Sequence, residues 1–271
     1  MKGKVIQTPV APLTHTPDQN AVLQDEIFYG MPITVLKETA DWLYVETPYR
    51  YRGYIPAACA AGCAYPANLT VTAAFGDLLS GPSVNSALRL SVPRGANLLS
   101  CGEKQDGWLP VRTVSRETCY IKANRVSPFV PYALPQDAQS FRKAVLRTAY
   151  TYLHTPYRWG GKTPQGIDCS GFCSMCYLLN GVVIYRDASI QPGFPVRPVP
   201  LEYAAEGDLL YFPGHIALYL GAGRFLHATA RDGDDCVTEA SLNPSDPGFR
   251  ADLTASLLTA GSIFAKPKET L

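Results

Sequence analysis

Residues 156–172 read PYRWGGKTPQGIDCSGF, and the passage from the glycines to the cysteine decides how the second half of the chain folds. The prolines and glycines hold the stretch before Asp168 in a loop. Asp168 is a favoured N-cap residue. The run after it carries an apolar stripe in FCSMCYLL, so a helix is expected from Asp168 to about Leu179. Cys169 then falls in the first helical turn, where backbone N–H groups point outward and the dipole favours negative charge. That placement lowers a thiol's pKa and makes Cys169 a candidate nucleophile. The plain alternative is a buried structural thiol.

Working outward, Phe141, Val145, Thr148, Ala149 and Tyr152 keep roughly helical spacing. They predict a helix from about Asp137 to Leu153, ending before the His154-Thr155-Pro156 turn. Downstream, an irregular Pro-rich stretch runs to Pro200. The turn AEGD (Ala205–Asp208) then introduces a strand, LLYF. The segment HIALYLGAGRFLHAT (215–229) predicts a hairpin turning near Gly221-Ala222-Gly223. Helices followed by antiparallel strands make this half an α+β domain.

The chain has four histidines, and two of them, His215 and His227, lie in this hairpin. If Leu220 pairs with Arg224, His215 pairs with Thr229, and His227 stands on the same face as His215. A slip of one residue would send them to opposite faces. On one face they suit a base, His215, oriented by a second polar group, His227. The alternatives are two partly exposed hairpin histidines or a metal pair.

The first half contains a repeat. DWLYVETP (Asp41–Pro48) resembles GWLPVRTV (Gly107–Val114), and GYIPAACA (Gly53–Ala60) resembles CYIKANRV (Cys119–Val126). Trp42 and Trp108, Val45 and Val111, and Tyr54 and Tyr120 all share one offset of 66 residues, which argues for two copies of one module. Strands ITVLKE and ANLLSC precede the tryptophans. In WLYV either Trp42 and Tyr44 or Leu43 and Val45 face inward. A module of about 60 residues with five or six short strands closes best as a small barrel, which removes exposed edges. The segment SPFVPYALP (Ser127–Pro135) is a linker. Expected domains are therefore 1–66, 67–128 and 129–271.

Composition fits this reading. The 23 prolines and 22 glycines suit short strands and turns, and a net charge of +1 points to neither nucleic acid nor an anionic membrane as partner. The N-terminus has no continuous apolar core of a signal peptide, so the chain as given reads as cytoplasmic, unless a leader has been trimmed from it. The eight cysteines are expected as reduced, buried thiols.

The repeated modules resemble bacterial SH3-like domains. The run PYRWGGKTPQGIDCSGF, then RDASIQPG, GDLLYF and GHIALYLGAGRFLHAT, resembles the NlpC-like cysteine peptidase family. That resemblance implies a papain-like catalytic domain acting on bacterial cell-wall peptides without metal or organic cofactor. By motif position it implies Cys169 as nucleophile, His215 as general base, His227 as the orienting residue and Tyr157 as an oxyanion donor. Two SH3-like domains before such a domain resemble the subgroup that cuts small free murein peptides between γ-D-glutamate and the diamino acid. There the resemblance implies a pocket for a free L-alanine amine, formed by Asp168, Ser170 and Ser189. Tyr54 and Glu26 of the first module would add to it, with Asp25 an equal choice to Glu26. Three rivals stand beside this reading: an exported endopeptidase of intact wall, a non-catalytic binding module, and a radical iron–sulfur enzyme using Cys169, Cys173 and Cys176. The last is disfavoured because the three cysteines share one helical face.

Overall fold

The computed structural model describes residues 2–265, so the extreme ends of the expected first and third domains, Met1 and residues 266–271, lie outside the described residues. The chain divides into two compact units, Met1–Val130 and Pro131–Leu271.

The first unit holds two seven-stranded sheets. One comprises β1 (Lys2–Ile6), β2 (Val10–Thr14), β3 (Leu23–Phe28), β4 (Pro32–Glu38), β5 (Trp42–Glu46), β6 (Arg52–Pro56) and β7 (Ala60–Ala61). The other comprises β8 (Leu69–Val71), β9 (Phe75–Leu79), β10 (Leu88–Pro93), β11 (Asn97–Ser100), β12 (Trp108–Arg112), β13 (Thr118–Lys122) and β14 (Val126–Pro128). Their spatial orders are β3-β2-β6-β5-β4-β1-β7 and β10-β9-β13-β12-β11-β8-β14, the same order copy for copy. The repeat read from three residue pairs thus extends to every strand. Among the described residues no strand pairing closes either sheet edge to edge.

Side-chain alternation explains the register. In β5 it is Leu43 and Val45 that are fully buried. Tyr44 lies on the other face against Tyr54, ring centroids 4.8 Å apart. Val45 sits opposite Gly53, and Val111 opposite Cys119. Gly53 is required there: a Cβ would stand 2.3 Å from Leu13 Cδ2 and 2.7 Å from the Thr14 carbonyl.

The second unit runs α1 (Ala138–Tyr150), β15 (Lys162–Thr163), β16 (Gly166–Ile167), α2 (Cys169–Leu178), β17 (Arg197–Val199), β18 (Leu209–Phe212), β19 (His215–Gly221), β20 (Arg224–Ala228), β21 (Val237–Ser241), α3 (Ala251–Ser256) and β22 (Thr259–Ser262). Asp137 caps α1 by accepting from the Gln139 and Ser140 N–H groups. Phe141, Val145 and Ala149 form its buried stripe, while Tyr152, also buried, lies just past the helix end. The main sheet is antiparallel throughout, in the order β17-β22-β18-β19-β20-β21. One core cluster gathers Leu210, Phe212, Ala217 and Phe225 from its strands with Leu253 of α3. Helix α2 packs against β19 and β20, which brings the start of the helix to the hairpin.

The hairpin corrects one sequence expectation. Gly221, not Leu220, pairs with Arg224, and the turn is the two residues Ala222 and Gly223, with φ of 50° and 81°. Positive φ at both central residues is what a tight hairpin of this twist needs. A register shift between Tyr219 and Gly221 absorbs the extra residue, so Leu218 still faces Leu226 and the body of the hairpin keeps the expected register. The cysteines also depart in part from expectation. All eight are free, but only Cys119, Cys169, Cys173 and Cys176 are buried, and Cys101 is exposed. No helix among the described residues is long and apolar enough to cross a membrane.

Candidate active site

Helix α2 begins as its sequence predicts. Asp168 is the N-cap, with extended backbone, and its Oδ1 accepts from the Gly171 N–H at 2.5 Å. The glycine-rich loop wraps this cap. Asp168 N–H donates to the Gly161 carbonyl, and Gly160 N–H donates to Asp168 Oδ2 at 2.8 Å. Loop and helix approach so closely that a Cβ on Gly171 would stand 2.3 Å from the Gly161 carbonyl oxygen. The glycines of WGGK and CSGF therefore serve contact between two backbones.

Cys169 is 8% exposed at the first turn of α2. The Ser170 N–H and the Ile216 N–H both favour its thiolate. Ile216 follows His215 directly, so this contact brings the head of β19 to the sulfur. The thiol is nevertheless pushed up to about 11, first by burial and then by the Asp168 charge, with Arg186 opposing. The helix start lowers a thiol's pKa, but burial acts the other way and dominates here. In the free protein Cys169 is a thiol, and ionising it needs a nearby base.

Two imidazoles stand in the hairpin. His215 Nε2 and His227 Nδ1 are 2.9 Å apart, so the two rings share one face and one hydrogen bond. His227 is fully buried and His215 partly so. Burial is the main reason His215 is held down at about 4, with the Arg250 cation adding to it. Burial and the neighbouring His215 likewise hold His227 far below the ordinary imidazole range. Both rings are neutral near pH 7, as an acceptor of the thiol proton must be. The pair is not part of a larger cluster: among the described residues no three His, Cys, Asp or Glu side chains gather as a metal site. Cys173 and Cys176 follow Cys169 along α2 and are wholly buried, as stripe residues of a helix.

Tyr157 is half-buried. Burial and the charges of Cys169 and Asp168 push its phenol up to about 12, so it keeps its proton and remains a donor. Ser170 is buried, donating to Asp168 Oδ1 and accepting from Arg186 Nη1 at 2.7 Å. Ser189 lies between α2 and β17, its hydroxyl accepting from Gln191. Tyr54 on β6 and Glu26 on β3 belong to the first unit. Glu26 is buried, as is Asp25, which takes a hydrogen bond from Tyr49.

Two features escaped the sequence reading. Arg186 forms a two-pronged ion pair with Asp168, Nη1 to Oδ1 at 3.1 Å and Nη2 to Oδ2 at 3.0 Å. Asp168, which the resemblance places in the amine pocket, already carries a counter-charge within the protein. Arg186 opens the same RDASIQ run that holds Ser189, and a carboxylate capping a buried helix start itself calls for a cation. The second feature is the Arg250–Asp252 pair at the head of α3, whose charges reach both histidines.

A thiol at a capped helix start, met by the N–H of the residue after His215, and an imidazole pair on that same hairpin are the parts of a cysteine peptidase. Residues 154–244 match the NlpC/P60 family. The chain is 38% identical to dipeptidyl-peptidase 6 of Lysinibacillus sphaericus, over 96% of this chain and 99% of that protein. It is 28% identical to the gamma-D-glutamyl-L-lysine dipeptidyl-peptidase of Bacillus subtilis, over 76% of this chain and 72% of that one. The crystal structure of an NlpC/P60 family protein from Bacillus cereus shares the fold, with a TM-score of 0.78 at 20% identity, covering 96% of this chain and 98% of that chain. The chain belongs to the NlpC/P60 family.

Proposed function

We propose that this protein hydrolyses the bond between γ-D-glutamate and the diamino acid of free murein peptides that begin with an unblocked L-alanine, releasing L-Ala-γ-D-Glu. The observation that carries the reading is the His215–His227 contact on the strand whose Ile216 N–H meets Cys169, in a chain matched over 96% of its length by a protein named a dipeptidyl-peptidase. The second relative's name, for γ-D-glutamyl-L-lysine, supports the γ-linked bond.

In this reading the papain-like second unit carries the chemistry and two SH3-like copies make up the first. The Cys169 sulfur attacks the γ-carbonyl carbon while its proton passes to His215. Tyr157 and backbone N–H groups hold the developing oxyanion. His215 then gives the proton to the leaving amine of the diamino acid, leaving a thioester on Cys169. Water, deprotonated by His215, attacks the thioester and frees the dipeptide acid and the thiol. Asp168 and Ser170, already bound to Arg186, form the fixed wall of the alanine subsite. Its amine recognition then rests on Ser189. The protein works on peptides inside the cell, where such free fragments arise.

The test is to incubate the protein with L-Ala-γ-D-Glu-diamino acid and with its N-acetyl form, and to identify products by mass spectrometry. Cleavage of the free peptide with resistance of the blocked one supports the reading. Equal cleavage of both, or release from intact wall, overturns it in favour of an endopeptidase.

A further inference from the structure

We propose that Arg186 is a positioning residue for the nucleophile: its paired contacts with Asp168 lock the α2 cap and cancel the carboxylate charge that would otherwise stand beside the Cys169 thiolate. The inference deepens the cysteine-peptidase reading and rests on Cys169 being its nucleophile.

The geometry is that of a closed electrostatic unit. The side chains of Arg186 and Asp168 are 1% and 9% exposed, so neither charge is screened by water. Asp168 accepts from Gly160 N–H, Gly171 N–H, Ser170 Oγ and both terminal nitrogens of Arg186. Five donors from loop, helix and Arg186 therefore hold the carboxylate in one place. Arg186 Nη1 also reaches Ser170 Oγ, spanning the residues on both sides of Cys169. A planar guanidinium makes these contacts at once; an ammonium cannot. A buried carboxylate left alone would oppose the thiolate strongly, since like charges in a dry site disfavour each other's ionised form. Among the described residues, Tyr157 and Cys173 also couple to Cys169, and His215 precedes Ile216, whose N–H reaches the sulfur. Tyr157 and Cys173 are neutral near pH 7 because burial raises them, and His215 because burial lowers it. Arg186 thus pairs directly with Asp168 and acts on Cys169 as a cation.

Alkylation of Cys169 by iodoacetamide, followed against pH by peptide mass mapping in the full chain, tests the proposal without needing turnover. Arg186→Gln should move the midpoint of the profile up by about one unit or more, a tenfold loss of thiolate at a given neutral pH. Arg186→Lys should recover part of that shift, because charge returns without the fork. Asp168→Asn should move the midpoint the opposite way, since the cation is kept and the anion removed. Arg186→Gln with Asp168→Asn should return near the wild-type midpoint. A merely structural role would slow or expose the thiol in every variant alike. An unshifted profile in folded Arg186→Gln, or a double variant shifted as far as the single one, overturns the proposal. Should Arg186→Gln fail to fold, the sign for Asp168→Asn decides: a midpoint at or above wild type overturns it. Failure of the peptide assay with these shifts intact would reject the substrate and leave the role of Arg186 standing.

Discussion

His215 Nε2 and His227 Nδ1 meet at 2.9 Å although the two residues stand diagonally, not directly opposite, across the hairpin. The contact couples the two tautomers, because one ring must donate and the other accept. For His215 to take the thiol proton on Nδ1, its Nε2 must already carry hydrogen and donate it to His227 Nδ1. His227 then bears its own proton on Nε2, an atom with no hydrogen-bond partner among the described residues. In the proposed mechanism His227 is then an acceptor that orients His215, and it is wholly enclosed.

We therefore expect His215→Ala to lower kcat by about 10²–10⁴, the usual share of a general acid–base group. His227→Ala should cost less, and the double variant little more than His215→Ala alone, because residues acting as a unit are not additive. Steady-state kinetics on the free tripeptide measure this. Additive losses would separate the two histidines.

Cys169→Ala should abolish turnover and leave the far-UV circular dichroism unchanged. Cys169→Ser should be nearly inactive too, because a hydroxyl is a far weaker nucleophile near neutral pH. Residual turnover in the alanine variant would place the nucleophile elsewhere.

The pH dependence of stability has a definite sign. Both histidines titrate below their ordinary value of 6.5 when folded, His215 at about 4, because burial disfavours the charged ring. The unfolded chain takes up protons first, so the stability these rings allow is whole above about pH 6.5 and declines as pH falls toward 4. Tm measured from pH 7.5 to 4 should fall steadily, and His227→Asn should flatten the decline. An unchanged slope in that variant would remove His227 from the acid response.

Gly171→Ala should be far more damaging than a methyl group suggests. Its Cβ would stand 2.3 Å from the Gly161 carbonyl oxygen, backbone against backbone, so the α2 start and the loop must separate. Thermal melts should show a loss of Tm, and kcat should drop at least tenfold because a small displacement of the nucleophile misaligns attack. A variant with native Tm and kcat would show that the loop yields freely.

Much of this architecture was legible because its signals are local or periodic. The Asp168–Cys169 step states its own cap, and the 66-residue offset runs unbroken through the paired strands β5–β6 and β12–β13. The hairpin register was readable because alternation over the strand outweighs the turn, and a bulge beside Leu220 made up the difference. Arg186 was hidden for a different reason. It reaches Asp168 across an irregular loop, and no periodicity links residues that only a folded path brings together. The raised thiol was hidden because it depends on burial around Cys169, which local sequence does not state.

The matching strand orders of the two copies carry a consequence for biosynthesis. In each copy the first strand is paired with the last: Val5 lies against Ala61, and Thr70 against Ser127. A nascent chain cannot satisfy the outer edge of β1 until Ala61 has been made, nor that of β8 until Pro128 has followed. Until then each opening strand waits with backbone donors and acceptors bare, the state in which strand edges recruit other chains. The ribosome thus presents two successive vulnerable intervals, each ended by a short closing strand.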